Sequence, residues 1–280
     1  MESQHKTLAR LLQADLVPIA HVSFNQMYTG YSRRYGTVIF VKVFGPDRER
    51  KFRTEQQVTA QLTNRVLAGF QLASHEWVLV LRDWQLTPVP KTLTPALVYQ
   101  MGRLVSQFHR AVQLPTIQNL MPVLDFDGMV ARVDRLETSP HYSELVTLLQ
   151  YFLDHQTMLR TALAQQPVVT LHGDMGTRNF RYHHGQLVLI DFERARRGYA
   201  LEDCLKFFFE DLQQRSVLIQ AFWAGYGADL QMPPLVKQWL LLQCSTGIFT
   251  YVNQIADPSF EAVGVEMLAQ VTLPNHLESV

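Results

Sequence analysis

Cysteine is nearly absent from this chain: Cys204 and Cys244 are the only two among 280 residues. They stand in no metal-ligand spacing, which excludes a disulfide framework and a cysteine-based zinc site. An excess of one charge is also missing. Lys and Arg together number 25 and Asp and Glu 25, so the basic surplus with which nucleic-acid binders neutralise phosphates is not there. No uninterrupted apolar run approaches the ~20 residues needed to span a bilayer. The opening Met1-Glu-Ser-Gln-His-Lys6 has none of the apolar core of a secretory signal. Internal repeats and low-complexity tracts are absent too. These absences predict a cytoplasmic protein whose partner is neither nucleic acid nor membrane. The apolar content of 47% is ample for a buried core in one large or two modest domains.

What is present concentrates in two neighbouring segments. Val169-Thr-Leu-His172-Gly-Asp174-Met-Gly-Thr-Arg-Asn179 is followed closely by Leu187-Val-Leu-Ile-Asp191-Phe-Glu193. Carboxylates and an amide therefore stand at the ends of adjacent apolar runs that read as short strands, Pro167–Leu171 and Gln186–Ile190. The turn His183-His-Gly185 pairs Asn179–Tyr182 with the second of these. Phosphoryl transfer asks little covalent help of a protein. It needs an acceptor hydroxyl oriented in line and divalent metal held against the phosphates. Asp174 can take the proton of such a hydroxyl. Asn179, Asp191 and Glu193 offer hard oxygen ligands suited to magnesium.

His172-Gly-Asp174, Asn179 and Ile190-Asp191-Phe-Glu193 resemble the aminoglycoside phosphotransferase and choline kinase superfamily, relatives of the protein kinases. The resemblance implies an α+β, two-lobed protein-kinase-like fold, with a small β-rich lobe over residues 1–85 and a larger, mainly helical lobe over residues 86–280. It implies Asp174 as catalytic base, Asn179 and Asp191 as metal ligands, and ATP and Mg2+ as cosubstrate and cofactor. Glu193 resembles the choline kinase form of the metal segment. The loop Met175-Gly-Thr-Arg178 departs from the commoner His-Pro-Gly or Trp-x-Gly. His172 is expected to orient the loop through hydrogen bonds, with a general-base role as the alternative. Asp203 falls where the family has an Asp that fixes the catalytic loop, although Ala200 replaces a common Pro.

The N-terminal third supplies the nucleotide side. A helix is predicted over residues 7–16, then strands over Ile19–Phe24 and Thr37–Phe44. The segment between them, Asn25–Gly36, reads as a turn carrying Gly30 and Gly36, where a kinase covers phosphates with backbone N–H groups. No Gly-x-Gly-x-x-Gly occurs. Lys42 interrupts an apolar strand and calls for an anionic partner if buried. A helix predicted over Arg48–Leu67 provides Glu55 on its apolar stripe, with Glu49 as a second candidate. Lys42, fixed by Glu55, would reach the phosphates. The strand Glu76–Asp83 leads to a hinge whose backbone around Leu81 would meet the adenine edge.

Beyond it, Thr94–Val112 is a capped amphipathic helix, ending in Phe108-His109, with His109 expected to pack near the catalytic loop. Further helices are predicted at 126–138, 141–164, 202–215, 216–226, 233–254 and 258–270. Arg194–Arg197 reads as a solvated loop, or as a phosphate contact. Glu202, Glu210 and Asp211 read as an exposed acidic face, or as a lining for a cationic acceptor.

The function these residues predict is transfer of the γ-phosphoryl of ATP to a hydroxyl of a small molecule, an amino alcohol, amino sugar or similar. A silent pseudokinase would be expected to have lost Lys42, Asp174, Asn179 or Asp191, and none is missing. A protein kinase would carry a long activation segment, whereas only about ten residues separate Asp191 from the next helix.

Overall fold

The computed structural model describes residues 4–20, 25–114, 124–227 and 232–273. Its N-terminal part is a five-stranded antiparallel sheet in the order β1-β2-β3-β5-β4. The strands are β1 (Val17–Pro18), β2 (Gln26–Ser32), β3 (Thr37–Phe44), β4 (Val66–Gln71) and β5 (Trp77–Arg82), with helices α1 (Gln4–Leu12) and α2 (Glu49–Leu62). Successive side chains of a strand point to opposite faces. Ile39, Val41 and Val43 of β3 join Val78 and Val80 of β5 and Leu8 and Leu12 of α1 in one cluster. Phe44, Leu79 and Leu81 face the other way, onto Phe52 of α2. Lys42 lies between Phe40 and Phe44 in this alternation, so the period of the strand turns it toward α2.

Several boundaries differ from those the sequence predicts. Helix α1 stops at Leu12 because Gln13 adopts φ +48°. Of the strand expected over Ile19–Phe24, residues 21–24 lie outside the described residues, and the pairing found is Val17↔Thr29 and Pro18↔Tyr28. Most of the turn expected over Asn25–Gly36 is strand β2, paired through Ser32↔Thr37 with only residues 33–36 turning. Helix α2 ends at Leu62 because Thr63 is extended. Val66, counted on the helical stripe, instead opens β4.

The remaining chain forms a mainly helical part around α3 (Pro95–Ala111), α4 (Phe126–Asp134), α5 (Tyr142–Asp154), α6 (Gln156–Ala164), α7 (Ala200–Glu210), α8 (Ser216–Tyr226), α9 (Pro234–Val252) and α10 (Pro258–Ala269). The helix predicted over 141–164 is broken at His155 into α5 and α6. Thr94 caps α3 by accepting from the Leu97 N–H, a contact worth about 1 kcal/mol. A single large core gathers these helices, with Trp239, Phe152, Phe207 and Phe222 fully buried. Helices α3 and α8 touch backbone to backbone, because Gly102 and Gly225 leave no side chain between them.

Two small sheets carry the loops that matter. In one, β6 (Thr87–Pro88), β8 (Phe180–His183) and β9 (Gln186–Leu189) pair in the order β6-β8-β9. In the other, β7 (Val168–Leu171) pairs antiparallel with β10 (Arg196–Tyr199). The sequence reading took Arg194–Arg197 for a loop, since Arg-Arg-Gly-Tyr shows no apolar alternation. Backbone pairing with β7 makes strand of Arg196 and Arg197 all the same, while Arg194 and Ala195 stay outside it.

Candidate active site

Strand β7 ends at Leu171, and the chain turns through His172, Gly173 and Asp174 before a short 3-10 turn at Thr177–Asn179 delivers it to β8. Gly173 sits at φ +79°, and a Cβ there would stand 2.2 Å from the Arg194 carbonyl oxygen. Only glycine fits both the left-handed backbone and the close approach. The turn is then anchored from below. Asp203, buried in α7, accepts from the His172 N–H at 2.6 Å and the Gly173 N–H at 2.8 Å. Its Oδ2 also meets His109 Nε2 at 3.1 Å, and His109 Nδ1 meets the Tyr226 hydroxyl at 2.9 Å. Burial opposes the charge of Asp203, but the His109 bond, the His172 ring and the Gly173 N–H outweigh it and hold the carboxyl below the ordinary range.

His172 lies 1% exposed with Nε2 2.9 Å from the Ile190 carbonyl oxygen. A carbonyl only accepts, so Nε2 carries the hydrogen, and Nδ1 accepts from the Asp174 N–H at 3.3 Å. Both ring nitrogens are committed to backbone, and neither is left to take a proton from an acceptor. This ring ties the His172–Asp174 turn to the metal segment.

Asn179 is buried, and its Nδ2 donates to the Asp174 carbonyl at 2.8 Å, which leaves its amide oxygen as the atom that could hold a cation. The Ile190 N–H donates to the Asn179 carbonyl at 3.0 Å, so Asn179 and Asp191 stand at adjoining strand ends. Asp191 holds φ +69°, a conformation that costs an L-residue other than glycine about 1 kcal/mol or more.

Lys42 reaches into this place. Its Nζ lies 2.6 Å from Asp191 Oδ1, 3.0 Å from Glu193 Oε2 and 3.6 Å from Glu55 Oε2. Burial alone would lower the lysine pKa; Glu55, Asp191 and Glu193 reverse that and hold it above its ordinary value. Glu55 is nearly fully buried, and its Oε2 accepts no hydrogen bond. Burial pushes its carboxyl up, since Lys42 is drawn to Asp191 rather than fully to Glu55. Glu49 pairs instead with Arg53 at 2.6 Å on the surface. Glu193 bonds Asn25 Nδ2 at 2.7 Å and meets Lys51 at 3.2 Å. Burial would raise its pKa, but Lys42 and Lys51 bring it down to about 2.

Asp174 points elsewhere. Its Oδ1 is 2.8 Å from both Lys206 Nζ and Arg178 Nη2, and 4.0 Å from Arg194 Nη1. Against the effect of burial, Lys206 and Arg178, with Arg194 behind them, hold its pKa at about 2. It is therefore ionised at neutral pH, ready to accept a hydrogen bond from a hydroxyl on its other oxygen. Neither Arg178 nor Lys206 was singled out from the sequence. Lys206 lies one helical turn past Asp203, a spacing that puts both on one side of α7.

Two predicted nucleotide contacts move. Gly30 lies inside β2, where a Cβ would stand 2.1 Å from the Asp15 carbonyl oxygen. Its lack of a side chain is explained by backbone packing. Leu81 is paired with Phe40 on one side and Val66 on the other, with its side chain buried against Phe52. Strand β5 runs on to Arg82, and the Asp83 N–H still donates to the Val38 carbonyl at 3.0 Å, so the crossing between the two parts begins beyond it. There Trp84 stacks on His183, ring centroids 4.2 Å apart.

A family model for the phosphotransferase enzyme family matches residues 15–239. The chain belongs to that family. Solved structures agree on the two-lobed, kinase-like fold. Choline kinase LicA from Streptococcus pneumoniae superposes with a TM-score of 0.66 at 15% identity, covering 94% of this chain and 96% of its own. The spectinomycin phosphotransferase APH(9)-Ia, solved with ADP and spectinomycin, gives 0.60 at 14% identity over 94% and 98%. A thermostable mutant of aminoglycoside phosphotransferase APH(4)-Ia, solved with AMP-PNP and hygromycin B, gives 0.67 at 15% identity over 96% and 98%. No curated protein matches the chain. Among the described residues no helix is long and apolar enough to cross a membrane.

Proposed function

We propose that this phosphotransferase moves the γ-phosphoryl group of ATP to a hydroxyl of a small molecule. One observation carries the reading: hydrogen bonds through His172 and Asn179 join the turn that bears Asp174 to the strand end that bears Asp191, and Lys42 arrives from the N-terminal sheet to within 2.6 Å of Asp191. Residues 1–85 then form the ATP-binding lobe and residues 86–280 the catalytic and acceptor-binding lobe.

The donor set fits Mg2+. Among the described residues no three His, Cys, Asp or Glu side chains gather into a protein cage, whereas Mg2+ characteristically takes one or two carboxylates and completes its shell with water and substrate phosphates. Asp191 and the Asn179 amide oxygen would hold it. Glu193 is engaged by Lys42, Lys51 and Asn25, which favours a role in placing the lysines over direct ligation. Bound there, the ion would offset charge on the β- and γ-phosphates.

Lys42 would carry the phosphates, with Glu55 behind it. Asp174 would accept the proton of the acceptor hydroxyl as its oxygen bonds to the γ-phosphorus. The bond from that phosphorus to the β-bridging oxygen breaks, and ADP leaves. His172 and Asp203 act through the turn, as positioning residues. A small acceptor is favoured because only residues 192–199 lie between Asp191 and α7, with four of them in β10, which leaves no room for a peptide-docking segment. Titration calorimetry with MgATP tests the nucleotide half of the reading. Lys42→Ala and Asp191→Asn should each weaken MgATP binding at least tenfold in a folded protein. Unchanged affinity in both would refute it.

A further inference from the structure

Beside the turn that carries Asp174, a cavity of about 300 Å³ opens between Val89, Pro90, Lys91 and Leu93 on one side and Thr177, Arg178, Arg181, Glu210 and Asp211 on the other. Its lining includes none of Lys42, Asn179 or Asp191, so it lies apart from the residues assigned to the phosphates and metal. Arg178, which bonds Asp174 at 2.8 Å, joins it directly to the base. Its volume suits one sugar-sized molecule.

The charges in this cavity run against a cationic acceptor. Asp211 Oδ1 is committed to the Thr177 N–H at 3.1 Å and to the Thr177 hydroxyl. Glu210 already lies between two cations, 3.9 Å from Arg178 and 3.9 Å from Lys206. Lys206 and Arg194 add positive charge around Asp174. Arg181 is the telling residue. It is half-buried on β8, and its side chain makes no hydrogen bond or ion pair among the described residues. Lys91, exposed at the rim, is likewise unpaired. A half-exposed guanidinium loses only part of its hydration, and with no protein anion beside it its fork of N–H donors remains available to a ligand carboxylate or phosphate. Glu210 Oε2 and Asp211 Oδ2 are buried and accept no hydrogen bond. Glu210 is half-buried at the cavity wall and can receive a hydroxyl donor on its other oxygen.

Resting on the kinase reading above, we infer that the acceptor is an anionic polyol, a sugar acid or sugar phosphate, whose acidic group Arg181 and Lys91 bind while its hydroxyls meet Glu210 and Asp174. An anionic acceptor differs from the amino alcohol or amino sugar expected from the sequence, and the two classes are told apart by assay.

The test pairs matched acceptors at one concentration with MgATP: gluconate and glucose 6-phosphate against glucosamine, and glycerate against ethanolamine, each scored by phosphorylated product. MgATP affinity is measured separately by calorimetry, so failure of the kinase reading shows there. Turnover confined to anionic members is expected, with the better of gluconate and glucose 6-phosphate telling carboxylate from phosphate. Arg181→Gln should raise the KM of that acceptor roughly tenfold or more, leave MgATP affinity unchanged, and be rescued in part by Arg181→Lys. Turnover of the amines but not the acids would overturn the inference. So would a chain that binds MgATP yet phosphorylates no anionic member, or an Arg181→Gln variant whose defect lies in MgATP affinity alone.

Discussion

Replacing Asp203 by Asn removes a charge while keeping the shape, and the structure says what that does. The carboxylate takes two backbone N–H groups at 2.6 and 2.8 Å and faces His109 at 3.1 Å. An amide has one acceptor oxygen, so its NH2 must confront either a backbone N–H or the imidazole. Hydrogen bonds to a charged group contribute about 1.5–3 kcal/mol each, and a buried donor left without a partner costs a further ~1–3 kcal/mol. The variant should therefore lose about 3–5 kcal/mol, a large part of the ~5–15 kcal/mol typical of a folded protein. In urea, with a slope near the top of the ~1–3 kcal/mol per molar range for a chain of this size, the midpoint should fall by roughly 1–2 M.

Because the folded pKa of Asp203 lies below its unfolded value, its contribution is present above pH ~4 and is lost as pH falls further. The difference between wild type and variant should shrink accordingly when the melts are repeated in acid. Turnover should drop about 100-fold as the Asp174 turn loses its anchor, with MgATP affinity nearly unchanged. A variant within ~0.3 M of the wild-type midpoint, inside the usual error of such extrapolations, would refute the anchoring role.

Gly225→Ala should destabilise the protein by about 2–3 kcal/mol, since the new Cβ would stand 1.9 Å from the Tyr99 carbonyl oxygen and must prise α8 from α3; an unaltered urea midpoint would contradict this. Asp174 and Glu193, each held at about 2, bind fewer protons when folded than unfolded once pH drops below ~4.5. Thermal midpoints should therefore decline from pH 5 towards pH 2.5, and Lys206→Met should flatten part of that decline. A midpoint independent of pH over this range would show that the cations do not hold these carboxyls.

The residues with a demanding backbone or an unmistakable motif were legible in the sequence. His172-Gly173-Asp174 and Asp191-Phe-Glu193 are short runs of special chemistry at strand ends, and Lys42 is a charge inside a period-two apolar strand. Strand β4 was hidden because Val66 continues the spacing of the α2 stripe. Strand β10 was hidden because Arg196 and Arg197 show no alternation, yet the backbone of β7 required a partner. Gly30 and Leu81 have a packing role that the sequence did not display. A glycine near a turn and an apolar residue near a hinge both suit nucleotide contact, and only the tertiary packing of Asp15 and Phe52 shows that they serve the sheet. The ring of cations about Asp174 was illegible for a similar reason. Arg178, Arg194 and Lys206 come from three segments that converge only when β7, β10 and α7 are packed together.

The account turns on Asp174 as the base, and product formation in its isosteric variant tests that most directly. Wild type and Asp174→Asn would be compared for acceptor-dependent ADP release and phosphorylated product, using MgATP with sugar acids, sugar phosphates, amino alcohols and amino sugars. The variant is predicted to bind MgATP as wild type does and to lose turnover by about 10²–10⁴-fold, the range attributed to a positioned general base. Turnover retained within a few-fold of wild type would contradict the central claim.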